Sequence, residues 1–297
     1  MRARTFDRAT AKDSKSMLDV PTIALMLLAG VLHASWHSLV KYGPDQVLVL
    51  VGMGVVAAMV AACALPFLPF PSAPAWAVIV GSVFLHVGYK LALARSYMLG
   101  ELGQAYPLAR GFVPLFSTFI AFALLGQAPS AGQISGIVLV SLGLMWLSAH
   151  SIRGGVDRRL FLAALGAGAT VAGYSVADAY GTRLAGDWAA FTAWLIVADC
   201  LSFAVLIYWM RGPQLSRDLW RFRAKMVFAG LLGVVSFSVF LWALSRSPVG
   251  AITALRESSV LFATLLGVFV HGEKPSPHKT AAVALIATGL ITIAALR

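Results

Sequence analysis

Hydrophobic residues in this chain come in long runs, and polar residues gather in the short gaps between them. Ten runs predict ten helices, at about 18–41, 46–65, 74–97, 103–126, 131–149, 159–182, 187–209, 223–245, 248–271 and 278–296. Each has about 20 residues, and a helix of that length crosses the ~30 Å hydrocarbon layer of a bilayer. The gaps "PFLPFPSAP" (Pro66–Pro74) and "GQAPSAG" (Gly126–Gly132) carry the Pro and Gly that punctuate helices. No gap is long enough to hold a soluble domain. Residues 1–17 form a polar, basic tail without apolar period, which predicts disorder. The run after it is longer than a signal-peptide core and continues into "HASWHSLVK" (His33–Lys41), so it reads as an uncleaved first helix. The pattern predicts an all-α integral membrane protein.

Composition agrees. The 297 residues are 59% hydrophobic and 12% charged, whereas a soluble domain is about a quarter charged. The formal net charge of +11 then reads as basic loops that anchor one face of a membrane protein, and not as a nucleic-acid surface. Cys63 and Cys200 fall inside apolar runs and read as reduced, buried, inert thiols. With the N-terminus placed in the cytoplasm, the inside holds eight Lys and Arg and the outside twelve. A start at Met17 would lower the inside count to three. The count offends the positive-inside rule, and the orientation stays open.

The text repeats itself. "ALARS" (Ala92–Ser96) recurs as "ALSRS" (Ala243–Ser247), and "RGFVPLFSTFIAFALLGQAP" (Arg110–Pro129) lies over "RESSVLFATLLGVFVHGEKP" (Arg256–Pro275). Arg110/Arg256, Leu115/Leu261, Phe116/Phe262, Thr118/Thr264, Gly126/Gly272 and Pro129/Pro275 match at one offset of 146. The chain therefore divides into a tail (1–17), a first repeat of five spans (18–150) and a second of five spans (151–297). Five is odd, so the second copy enters the membrane upside down. Inverted repeats are a mark of secondary transporters, which hold substrate near the midplane between the halves.

Five plus five spans, the "GE"-type ends of spans four and nine (Gly126-Gln127 and Gly272-Glu273) and "HASWHSLVK" in span one resemble the drug/metabolite transporter superfamily, specifically its EamA-type members. The resemblance covers about residues 18–297. It implies a multi-pass protein of the cell membrane that exports amino acids, drugs or other small metabolites. Gln127 departs from the pattern, which has an acid there, as Glu273 does.

Ionisable residues inside a span cost roughly 2.5–3.5 kcal/mol on insertion scales and are functional candidates. The competing readings are helix packing, snorkelling and structural ion pairs. Arg110 and Arg256 are repeat-related, which predicts opposite walls of one cavity, and guanidinium groups hold carboxylate or phosphate bidentately. Tyr106 shares a helix face with Arg110. Glu257 points about 100° away from Arg256, so the two do not neutralise each other in place. It is a candidate for a coupling proton or a structural pair. His33 and His37, with Trp36, predict a cavity wall on span one; they lack the further ligands of a metal site. His86, Tyr89 and Lys90 share one face of span three. Tyr174 and Asp178 pair on span six, Tyr174 at the counterpart of Trp36, and Asp178 is placed to meet Lys90 or an arginine. Asp199 reads as packing. Trp242 is a cavity wall or an interfacial anchor. Pro107 and Pro114 bracket Arg110 and predict a kink in span four. Small residues at Gly132–Gly136 and Ala164–Gly173 predict close packing in the bundle or a dimer.

These features point to a secondary transporter, of the exporting kind, for a small anionic or zwitterionic, amino acid-like metabolite. It would work by alternating access as a monomer or homodimer, without metal or other cofactor. Organophosphate or organic-anion exchange also suits paired arginines. An intramembrane lipid- or acyl-modifying enzyme is the alternative of a different class, and the sequence shows no nucleophile elbow or clustered acids for it. Without a P-loop, ATP is not the expected energy source.

Overall fold

A computed structural model of the chain describes residues 18–41, 45–99, 102–150, 158–271 and 276–296. The N-terminal tail, Gly272, Glu273 and the side chain of Tyr106 lie outside the described residues.

The described residues form helices α1 (Val20–Lys41), α2 (Gln46–Ala64), α3 (Ala73–Leu99), α4 (Leu102–Leu125), α5 (Ala131–His150), α6 (Arg158–Ala185), α7 (Trp188–Arg211), α8 (Gln214–Arg221), α9 (Arg223–Arg246), α10 (Val249–Arg256), α11 (Ser258–His271) and α12 (Pro277–Ala295). Among the described residues, nine segments are long and apolar enough to cross a membrane. One of them combines α10 and α11. In α4 the apolar stretch, Ala109–Leu125, is shorter.

Three expectations change here. Span nine is interrupted at Glu257 between α10 and α11, whereas α4 runs unbroken through Pro107 and Pro114. The Pro114 carbonyl is taken by the hydroxyls of Thr118 at 2.6 Å and Ser117 at 3.2 Å. The gap before span eight holds α8, whose Leu215 and Leu219 turn inward while Arg217 and Arg221 face out. Cys63 is exposed on the outside of the bundle and Cys200 is half-buried, so neither is the buried thiol expected.

Packing between the halves is reciprocal. α3 lies on α6 as α9 lies on α1, and α4 lies on α6 as α10 and α11 lie on α1. α2 meets α7 and α5 meets α12. The reciprocity reaches single residues. A Cβ on Gly136 of α5 would meet the Gly289 carbonyl of α12 at 2.7 Å, and one on Gly289 would meet the Gly136 carbonyl at 2.7 Å. At the counterpart contact, Gly143 would meet the Ala282 carbonyl at 3.0 Å. A Cβ on Gly168 of α6 would come within 2.6 Å of the Ala109 carbonyl in α4. A Cβ on Gly30 of α1 would come closer still to the Ser258 hydroxyl, and Ser258 is the counterpart of Phe112, which packs on Gly168. Small residues let backbones approach where lipid gives helices little hydrophobic reason to associate. The small-residue faces of α5 and α6 are thus used inside the bundle.

The largest apolar core joins Met26 of α1, Ile79 of α3, Val176 of α6, Phe191 and Leu195 of α7, Phe240 of α9 and Ile252 of α10. Ile286 of α12 and Leu144 of α5 complete it. Phe84, Phe119, Leu124, Trp209, Phe269 and Ile291 are exposed. Large apolar side chains covering the outside of a helical bundle are what a lipid environment requires.

Candidate functional site: a buried charge cluster at an interrupted helix

The interruption in span nine needs neither proline nor glycine. At Glu257 the helix tightens: its N–H bonds to the Ala254 carbonyl at 3.0 Å, and the Val260 N–H bonds to the Glu257 carbonyl at 3.0 Å. These three-residue closures replace four-residue ones, so the following side chains rotate relative to α10. Thr253, just before the break, is tied to α4 through Ser117, 2.7 Å between hydroxyls. At the other end of α10, Pro248 offers no side-chain cap. Gln127, beyond the end of α4, does so instead: its Oε1 accepts the Val249 N–H at 3.0 Å. The residue that departs from the family pattern is thus a helix cap across the two halves. An amide oxygen suffices for that task.

The two adjacent charges part at the break. Glu257 reaches across to α4, where Arg110 Nε donates to its Oε2 at 3.0 Å and Arg110 NH2 lies 2.5 Å from its Oε1. Both partners are buried. A forked guanidinium–carboxylate pair fixes orientation as well as charge. Arg256 has no such carboxylate. Its guanidinium lies over the Phe240 ring, 4.2 Å from the centroid, and its NH1 is buried without a hydrogen bond to the described residues.

Around Arg256 stand rings. Tyr174 of α6 has Arg256, Arg110 and Asp178 as its electrostatic neighbours. Tyr174 stacks on His86 of α3 at 3.9 Å. His86 Nε2 lies 3.1 Å from Asp178 Oδ2, and the Ser82 hydroxyl donates to Asp178 Oδ1. Phe237 meets the edge of His86. From α1, Trp36 stacks on His37 at 3.8 Å, and His33 contacts both rings. Both histidines lie within electrostatic reach of Arg110 and Arg256, and His33 Nε2 is buried without a hydrogen bond.

The structure therefore brings together Arg110, Arg256, Glu257, His33, Trp36, His37, His86, Tyr174 and Asp178. Tyr89 borders the cluster, 6.0 Å from Tyr174 and packed on Ala109, Ala164 and Ala167. Lys90 stands apart. It does not meet Asp178, as its spacing suggested, but forks onto Asp199 of α7 at 2.7 and 2.9 Å, with the Phe203 ring 4.8 Å away. Asp178 is held by His86 and Ser82 instead. Trp242 also stands apart, under the Arg246 guanidinium at 4.7 Å near the end of α9. Sequence reasoning missed Ser82, Phe240 and the role of Asp199. A signal for Asp199 existed: Lys90 in an apolar run needs a carboxylate, and Asp199 lies in another such run.

Inside the bundle, among the described residues, three cations (Lys90, Arg110, Arg256) face three acids (Asp178, Asp199, Glu257). Two pairs close directly. The third is open, with Tyr174 and His86 between Arg256 and Asp178. A low-dielectric site holding a cation over an aromatic face, with donor capacity left, suits a small carboxylate. Ser82, Asp178 and His86 are the residue types of a hydrolytic triad, but the wiring differs. Both Ser82 and His86 bond to Asp178, whereas an activated nucleophile needs serine on histidine. Among the described residues no three His, Cys, Asp or Glu side chains gather as a metal site.

Comparison with known proteins adds what the chain is similar to. Residues 159–295 match the model of the EamA-like transporter family. The chain is 28% identical over 193 residues to the "Uncharacterized transporter YwfM" of Bacillus subtilis (strain 168). That match spans 63% of this chain and 63% of the relative's length. A structure titled "Crystal structure of protein" superimposes with a TM-score of 0.73 over 93% of this chain and 99% of that one, at 18% identity, and so shares its fold.

Proposed function

We propose that this chain, a multi-pass cell-membrane protein similar over residues 159–295 to the EamA-like transporter family, is a secondary transporter of a small carboxylate or amino acid-like zwitterion. It alternates access between two inverted five-span repeats, α4 completing the ten spans, and works as an exporter, a direction for which the family resemblance is the support. The single observation that carries this reading is Arg256: a partly buried arginine at an interrupted helix, seated on Phe240, whose buried NH1 has no hydrogen bond to the described residues. Broken helices beside a site at the join of two halves are how many transporters hold substrate. The reciprocal packing of the halves supports the exchange of conformations that alternating access needs.

The charge pattern favours a single carboxylate over a phosphate dianion, because Glu257 already satisfies Arg110. A substrate carboxylate takes Arg256, and the Tyr174, Trp36 and Phe240 rings face its body. The positive charge that must accompany a carboxylate into this site sits at Asp178 and His86, as the ammonium of a zwitterion or as a coupling proton. Glu257, the sequence candidate for that proton, is committed to Arg110.

Proteoliposomes carrying the full chain test this against labelled amino acids, organic anions and sugar phosphates. The expected result is flux of an amino acid or monocarboxylate with the label chemically unchanged, lost in Arg256→Ala while that variant still folds and inserts. Conversion of a substrate without flux would overturn the reading in favour of an enzyme.

A further inference from the structure

The end of the bundle where α7 turns into α9 carries a feature that transport does not use. α8 lies there as a short amphipathic helix, with Leu215 and Leu219 packed against the bundle. Between α8, α7 and α2 is an open groove of about 300 Å³, with Val205, Tyr208 and Trp209 exposed along it. Its walls are almost wholly apolar: Val51, Val55, Ala204, Val205 and Trp209, closed at the α8 end by Leu215 and Leu219. Its polar members, Tyr208 and Ser216, stand on the α7 and α8 walls.

The surroundings are basic. Residues 211–225 hold Arg211, Arg217, Arg221, Arg223 and Lys225 against one acid, Asp218. Arg211 is taken by Asp45 at 2.5 Å. Asp218 accepts from Gln214 at 3.3 Å. Arg217, Arg221, Arg223 and Lys225 are exposed. Arg223 lies over the exposed Trp220 ring at 4.5 Å. An amphipathic helix with cations outward and an adjacent indole is the composition that settles at a membrane–water boundary. Arg217 follows Ser216 directly, so the cations begin where the apolar groove ends.

We propose that this groove is a binding site for an anionic phospholipid. One acyl chain enters between α2, α7 and α8, and the headgroup phosphate meets Arg217 and its basic neighbours. The charge complementarity selects an anionic lipid, and the apolar depth selects a lipid over a free anion. The site would tie α7 to α9 through α8, at a distance from the Arg256 cluster.

The test uses the full chain, delipidated in detergent, with bound lipid counted by native mass spectrometry. Phosphatidylglycerol should bind about tenfold more tightly than phosphatidylcholine, because the clustered arginines attract a net negative headgroup. Arg217→Gln, Arg221→Gln and Arg223→Gln together should erase that preference, and Ala204→Phe should lower occupancy by both lipids. Inorganic phosphate should not displace the bound lipid. Equal affinity for the two lipids, a preference that survives the triple substitution, normal occupancy in Ala204→Phe, or displacement by phosphate would each overturn the site. Hydrogen exchange on the unmodified chain guards against misfolded variants. Phosphatidylglycerol nanodiscs should slow exchange over residues 204–221 relative to phosphatidylcholine ones, and equal exchange would count against the site.

Discussion

Arg110 and Arg256 hold matching places in the two halves of the chain, 146 positions apart, yet their surroundings differ. Arg110 is buried in a forked pair with Glu257. Arg256 lies over a ring with a donor unused. The difference comes from the next residue along: Gly111 follows Arg110, and Glu257 follows Arg256. Because span nine tightens at that point, the glutamate serves the arginine of the other half. The repeated text supplies two cations, and the one acid without a counterpart pairs with the first and not the second.

The largest effect should come from separating these roles. Glu257→Leu leaves Arg110 buried without a carboxylate and should cost about 3–5 kcal/mol, measured by unfolding in mixed detergent. Adding Arg110→Leu should restore most of the loss, because an apolar pair of similar volume replaces a buried ion pair at little cost. Arg256→Gln should cost about 1 kcal/mol, the worth of its contact with Phe240, while abolishing flux. Equal stability losses for Glu257→Leu and Arg256→Gln would break the comparison, since neither arginine would then be the spare one.

Where the halves are alike, substitutions should behave alike. Gly136→Ala and Gly289→Ala each push a methyl group against the other's backbone carbonyl. Each should cost about 1–3 kcal/mol by overpacking. Gly81, with open space around it, should instead gain about 0.5–1 kcal/mol as alanine. Unequal losses at Gly136 and Gly289 would mean that the α5–α12 seam is not reciprocal. A smaller effect lies at Gln127. Its replacement by alanine uncaps α10 and should cost about 1 kcal/mol, and Gln127→Glu should keep the cap.

Much of this was legible in the sequence because it is written in composition. The apolar runs, the repeat and the clustering of His33, His37, His86, Tyr174, Arg110 and Arg256 follow from residue types at helical spacing. What was not legible depends on three-dimensional bookkeeping. Pro107 and Pro114 marked span four as the one to break, yet α4 is one continuous helix through both. The break came instead at Glu257, where no breaker residue stands and an ion pair to another helix sets the geometry. Lys90 meets Asp199 and not Asp178, the partner its spacing suggested, for a similar reason. Both lie in apolar text, and only the packing of α3 between α6 and α7 decides which one meets Lys90. α8 was readable from Leu215 and Leu219 against Arg217 and Arg221, but eight residues fall below the window that detects periodicity.

The smallest effect separates two residues that begin corresponding helices. Asp45 caps α2, accepting the Leu48 N–H at 3.0 Å, and Asp187 caps α7, accepting the N–H groups of Ala189 and Ala190 at 2.8 and 3.0 Å. Only Asp45 also holds a cation, Arg211, at 2.5 Å. Partial burial pushes the Asp45 carboxyl up, but the bonds from Arg211 and Leu48 outweigh it and hold the group below its ordinary value. The charged form is therefore favoured by the fold. Its contribution is complete above the ordinary carboxylate value, near 3.9, and is lost as pH falls through the lowered one. The pair is partly exposed, so after solvent screening it should be worth about 0.5 kcal/mol. The stability difference between the parent and Arg211→Gln should show this at neutral pH and shrink towards zero in acid. Asp187→Ala should cost about 1 kcal/mol through its cap alone, and Arg211→Gln should leave that cost unchanged. A difference at Arg211 that persists in acid would show that something other than the Asp45 carboxylate holds this arginine at the mouth of α2.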